Sequence, residues 1–193
     1  MGEIDKLMRG LGSSRWEARR AASEALVSMG SPAITPLIDA LQDRNPDVRW
    51  AAIRALGKLG DPTAIKPVTK ALRDKDSGVR KTAAEALGKI GDARATAALI
   101  TAVGDEDWSV RQAAVESLGK IGNPKAVDAV VNTLRDGYSD VRQAAVAAAV
   151  QIGKPAVAPL IKALGDDNPD TVICQRPDGV LTTGTATEVA SRQ

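Results

Sequence analysis

The chain of 193 residues carries 26 Lys and Arg against 24 Asp and Glu, a net charge of +2, with 44% hydrophobic but only 2% aromatic residues. This is a globular composition, too nearly neutral to point to nucleic acid or a membrane surface as the partner. Histidine is absent, which removes histidine triads, metal ligands and acid–base catalysis, and the single Cys174 can form neither an internal disulfide nor a thiolate cage. There is no leader pattern and no apolar run of the ~18–20 residues that a membrane span needs, so a cytoplasmic protein is expected.

In chain order, residues 3–12 read as a helix, because Leu7, Met8 and Leu11 return thirty residues on as Leu37, Ile38 and Leu41. The same self-similarity runs through most of the chain. Val48-Arg49, Val79-Arg80, Val110-Arg111 and Val141-Arg142 recur at intervals of 31, and Ala18-Arg19 extends the series back by 30. Gly30, Gly60, Gly91, Gly122 and Gly153 keep the same register, as do Asp43, Asp74, Asp105, Asp136 and Asp166. Each unit predicts two helices. Short first helices fall at 33–41, 65–72, 95–103, 126–134 and 156–164. Longer second helices carry apolar stripes such as Val48, Ala52, Ile53, Leu56 and Leu59.

The punctuation agrees with this reading. Asp61, Asn123 and Asn45 precede prolines as capping residues, Asp76 and Asp107 cap the equivalent second helices, and Ser14 to Glu17 has capping-box spacing. The glycine series is expected to supply left-handed C-caps. Gly57, Gly88 and Gly119, inside second helices, are expected to permit close packing. Residues 168–170 (Asn-Pro-Asp) repeat the start of an earlier second helix, then the pattern stops. Residues 171–174 and 180–183 read as strand–turn–strand around Arg176 to Gly179, a tail that caps the stack, forms a hairpin or stays disordered.

A helix pair of ~31 residues cannot bury its apolar face alone, and stacking supplies the missing core. The expected fold is therefore all-α: an α-solenoid of about five and a half helix-pair repeats over residues 1–168, with a non-repeat tail at 169–193. Such a body offers long faces rather than a central pocket, so surface binding is its default function.

The motif Val-Arg-x-x-Ala-Ala-x-x-Leu-Gly-Lys-Ile-Gly-Asp, at 79–92, resembles the HEAT repeat. More narrowly it resembles the subtype found in phycobilin lyase subunits and is similar to the artificial alphaRep scaffolds. The resemblance covers residues 3–168. It implies that the Val-Arg helices line a concave face. It also implies that a ladder joins the layers, assigned to Asp43, Asp74, Asp105, Asp136 and Asp166 with Arg19, Arg49, Arg80, Arg111 and Arg142. Those charges then serve structure rather than catalysis.

On such a concave face, four columns vary between repeats. Counted from each repeat arginine, they hold Trp16 and Trp108 three residues before and Arg20, Trp50, Lys81 and Gln112 one after. Glu24, Arg54, Glu85 and Glu116 stand five after, and Lys58, Lys89 and Lys120 nine after. All three tryptophans fall in these columns, with Tyr138 one residue outside, and aromatic residues on an exposed ridge are interface anchors. The expected partner-binding residues are Trp50, Arg54, Lys58, Lys81, Glu85, Lys89, Trp108, Gln112, Glu116 and Lys120. Glu85 and Glu116 precede Lys89 and Lys120 by one turn, so the basic column reads as an ion-paired ridge rather than a phosphate track.

The functional expectation is a non-enzymatic scaffold for another protein, with no cofactor, no metal and no membrane. A lyase-like or chaperone-like accessory subunit is the first alternative, and weak nucleic-acid binding through the Lys/Arg ridge the second. Self-association through the tail or the last helix is a further expectation.

Overall fold

The computed structural model describes residues 2–163 and the strands at 171–175 and 181–185. Among the described residues the fold is an α-solenoid. The first helices of the pairs are α1 (Glu3–Leu11), α3 (Ile34–Asp39), α5 (Ile65–Ala71), α7 (Thr96–Ala102), α9 (Val127–Thr133) and α11 (Lys154–Ala163). The second helices are α2 (Trp16–Met29), α4 (Pro46–Leu59), α6 (Ser77–Ile90), α8 (Trp108–Ile121) and α10 (Ser139–Ile152), each of 14 residues. Strands β1 (Thr171–Gln175) and β2 (Leu181–Thr185) pair antiparallel, and β1 lies beside α11. The proposed turn at 176–179 lies outside the described residues, as do Asp166 and the 168–170 segment.

Three local expectations are corrected. The short helices do not run unbroken from 33, 95 or 126. A 3-10 turn leads into each (Ser31–Ala33, Ala93–Ala95, Pro124–Ala126), and Pro62–Ala64 leads into α5 in the same way. Asp61, Asp92 and Asn123 cap these tight turns by accepting the N–H two residues on at 2.8–3.0 Å, a geometry that suits an Asx side chain better than an α-helical entry. Ser14 forms no capping box: Arg15 is the N-cap of α2 without a side-chain bond, and Ser13 accepts the Arg15 N–H instead. Finally, Gly60, Gly91 and Gly122 are left-handed caps, but Gly30 and Gly153 pair positive φ with ψ of −136° and −135°. Their connections are one residue shorter. The glycine carbonyl itself closes the next turn onto Ala33 and Ala156, a task that Asp61 or Asn123 performs elsewhere. Only glycine reaches that backbone region readily.

The core is aliphatic throughout. The largest fully buried side chains are Leu, Ile and Val, and small alanines at 33, 64, 95 and 126 sit completely buried at the head of each first helix. Close packing concentrates between second helices. A Cβ added to Gly57 would lie 2.8 Å from Ala86 Cβ and 2.9 Å from its Cα, one on Gly88 would lie 2.9 Å from Ser117 Cα, and one on Gly119 would lie 2.7 Å from Ala148 Cα. Ser117 turns the contact into a bond by donating its hydroxyl to the Ala84 carbonyl at 2.8 Å. In register with these glycines, eight residues after the repeat arginine, α2 carries Val27 and α10 carries Val150, which is 52% exposed. Successive second helices from α4 to α10 contact each other far more extensively than successive first helices from α3 to α9 do. The second helices therefore form the more tightly packed layer of the stack.

Candidate functional site

The arginine of each second helix reaches in two directions. Arg49, Arg80 and Arg111 each donate through Nε and Nη2 to both carboxylate oxygens of Asp74, Asp105 and Asp136 in the following unit, at 2.7–3.0 Å. Through Nη1 each also donates to the backbone carbonyl six residues before it, at 2.9 Å. One guanidinium therefore ties its own loop to the next repeat in the planar, two-pronged geometry that lysine cannot supply.

Burial opposes ionisation of Asp74, but the Arg49 hydrogen bond and the Asp76 N–H outweigh it and hold the carboxyl below the usual range. At Asp136 the Arg111 hydrogen bond dominates, with the same result. The seam starts one step later than the resemblance implied. Asp43 turns its carboxylate onto the Asn45 N–H, and Arg19 instead comes within 4.0 Å of Asp47. Arg142 repeats the backbone contact to Asp136 at 2.8 Å, and its proposed partner Asp166 lies outside the described residues.

Along the same helices, the expected partner-binding residues fall on accessible positions. Lys58, Lys89 and Lys120 are exposed, while Arg54, Lys81, Glu85, Gln112 and Glu116 are half-buried. Trp50 is 36% and Trp108 38% exposed. The anticipated ion pairs Glu85–Lys89 and Glu116–Lys120 do not close within 4.0 Å. Glu116 accepts from Gln112 at 2.9 Å, and the one-turn pair that does close is Arg20–Glu24 at 2.8 Å. The ridge lysines are thus less neutralised than their spacing suggests.

The indoles do not stand alone. The Arg54 guanidinium lies 5.2 Å over the Trp50 ring and that of Arg20 5.7 Å over Trp16. Trp108 stacks on Tyr138 with ring centres 5.7 Å apart and planes 13° from parallel, and the Arg111 guanidinium lies 5.5 Å from the centre of that tyrosine ring. Sequence reasoning left Tyr138 out of the site because it sits one residue off the columns, as the N-cap of α10. Its spacing of 30 from Trp108 was the available signal. Trp50 and Arg54 separate two clefts. One, of about 90 Å³, opens toward α2 between Trp16 and Lys58; the other, of about 280 Å³, opens toward α6 between Thr82 and Lys89. No group of three or more acidic or cysteine ligands placed for a metal occurs among the described residues. No described helix is long and apolar enough to cross a membrane.

Helix pairs stacked on an arginine–aspartate seam, with exposed aromatic residues along the second helices, define an α-solenoid repeat protein. The chain belongs to the HEAT repeat family: the profile for HEAT repeats matches residues 34–107 and 98–174, and that for the PBS lyase HEAT-like repeat matches residues 18–43. Among solved structures, the complex of CpcE and CpcF of phycocyanin lyase from Nostoc sp. PCC7120 is similar, with a TM-score of 0.70 at 26% identity, over 75% of this chain and 96% of that one. An engineered protein matches at TM-score 0.58 and 24% identity over 86% of both chains. A designed armadillo repeat protein in complex with the peptide (KR)4 matches at 0.57 and 22%, over 84% of this chain and 88% of that one. These last two share the fold alone. No curated protein matches the chain in sequence.

Proposed function

We propose that this protein is a scaffold that binds another protein along the inner face formed by its second helices. The observation that carries this reading is the placement of exposed rings. Of the five large hydrophobic side chains exposed among the described residues, four (Trp16, Trp50, Trp108 and Tyr138) lie at the N-terminal ends of second helices. The core is complete without them, and three are braced by arginine, so they are held ready rather than buried on folding. Trp50 and Trp108 serve as anchors; Arg54, Lys58, Lys81, Glu85, Lys89, Gln112, Glu116 and Lys120 supply polar selectivity around them. In this reading residues 1–168 are the binding unit, 169–193 form a separate hairpin-bearing tail, the protein is cytoplasmic, and it performs no catalysis of its own.

The test is capture of partners by the wild-type chain and by a Trp50→Ala, Trp108→Ala double variant with an unchanged circular dichroism spectrum. Each truncation is expected to cost about 2 kcal/mol of binding. Equal recovery of the same partners by both proteins refutes the assignment. The likeness to the CpcE and CpcF complex supports a second reading, an accessory subunit that handles a bilin or its carrier. Co-expression with a bilin decides it, because pigment absorbance that co-purifies with the protein would favour that reading over the first.

A further inference from the structure

We infer that the cleft between α2 and α4, at the junction where Val27 stands in the place of a packing glycine, is a seat for an acidic side chain of the partner. This rests on the partner-binding reading above and specifies its chemistry at one end of the face.

The register makes the substitution visible. Gly57, Gly88 and Gly119 each stand eight residues after the repeat arginine and bring the following second helix into backbone contact. Val27 has the same place in α2, facing Ala55 by register, and packs partly buried against the core. Accordingly α2 contacts α4 much less extensively than α4 contacts α6, α6 contacts α8 or α8 contacts α10. The cleft lies along this looser junction, but a larger one lies along the glycine-packed α4–α6 junction, so its lining is what sets this cleft apart.

The lining is specific. Trp16 and Trp50 form the walls, with Arg20 and Arg54 stacked on them and Lys58 and Glu24 alongside. Arg19 also lines the cleft but donates to the Ser13 and Ser14 carbonyls and lies 4.0 Å from Asp47; the other three cations against one carboxylate leave a surplus of two positive charges. Arg20 is engaged by Glu24 at 2.8 Å, while Arg54 and Lys58 form no salt bridge within 4.0 Å among the described residues. Glu24 is held below the ordinary carboxyl range by Arg20 above all, with smaller help from Lys58 and Arg54. The volume of about 90 Å³ takes one side chain and excludes a tetrapyrrole. A carboxylate on an aliphatic stem matches both the cations and the indole walls. The occupant is therefore a Glu or Asp side chain in an acidic segment that also carries aliphatic residues.

The test uses fluorescence anisotropy with three labelled probes: a ten-residue peptide of alternating Glu and Leu, the same peptide with Gln for Glu, and an oligothymidylate. The Glu/Leu peptide is expected to bind at least tenfold more tightly than either of the others. Arg54→Gln and Lys58→Gln are each expected to weaken it about fivefold to tenfold, as loss of one charged contact does. Lys66→Gln, an exposed charge on the first helix α5 and outside the cleft, is expected to leave the peptide's affinity unchanged. The inference is overturned by no measurable Glu/Leu binding, by equal binding of the Gln/Leu peptide, by tighter binding of the oligonucleotide, or by indifference to Arg54→Gln and Lys58→Gln. If Trp108→Ala abolishes capture of the natural partner while the cleft variants do not, the cleft assignment falls and the wider scaffold reading stands.

Discussion

Replacing Arg80 with Met keeps most of the aliphatic stem but removes the guanidinium from the centre of the seam. Its side chain is 9% and that of Asp105 11% exposed, and the two bonds between them measure 2.8 and 2.9 Å. The variant also strands the Asp74 carbonyl, which Arg80 meets at 2.9 Å. Breaking a buried ion pair from one side costs about 3–5 kcal/mol, because the surviving charge remains desolvated. Asp105 keeps the Asp107 N–H at 2.9 Å, which places the expected loss near the lower end, about 3 kcal/mol. Urea unfolding followed by far-ultraviolet circular dichroism measures it. Repeat arrays are held by nearest-neighbour interfaces, so a weakened junction between α6 and α8 should also broaden or split the transition. The paired control is Arg80→Met with Asp105→Leu, which removes the stranded charge and should recover most of the loss as a coupling energy. A single-variant loss below about 1 kcal/mol, the range of an exposed pair, would refute the seam as a structural tie. A double variant no better than the single would do the same.

Gly57→Ala tests the packing notch: helix propensity alone would stabilise by about 1 kcal/mol. The added methyl meets Ala86 Cβ at 2.8 Å and its backbone Cα at 2.9 Å, so the expected net result is a loss of about 1–2 kcal/mol, read from the unfolding midpoint. Acidification tests the charges. Asp74 and Asp136 titrate lower in the folded protein than in the unfolded chain, so their contribution is complete above the unfolded value of about 3.9. It should hold from pH 7 to 5 and disappear as pH falls through the lower folded values, and Asp74→Asn should flatten that loss.

The stacking of helix pairs was legible because three residue series shared one register, and each has a separate physical cause: a guanidinium tie, a C-cap and a turn carboxylate. What the periodicity could not show was how each first helix begins. Apolar spacing over seven or eight residues is the same whether the opening turn is 3-10 or α-helical, so that choice falls to Asp61, Asp92 and Asn123 and their bonds two residues on. The two odd glycine conformations were written in the shorter Gly30-to-Ala33 and Gly153-to-Ala156 connections, one residue less than Gly60 to Ala64. At the site, the ridge columns picked out Trp50, Arg54 and Lys58, three side chains that line one cleft. They could not show that Tyr138 stacks on Trp108, since that contact crosses between repeats. The Trp16 cleft was hidden for a related reason: its walls, Trp16 and Trp50, come from two successive repeats.

Val150 takes the register place of Gly57, Gly88 and Gly119 at the other end of the tight layer. Repeat folds lengthen by gene duplication, and a copy of the α6–α8 type can be inserted wherever glycine offers a socket to the incoming helix. On α10 an isopropyl group 52% open to solvent occupies that place, so a further second helix docked there would meet a side chain where its predecessors meet a notch.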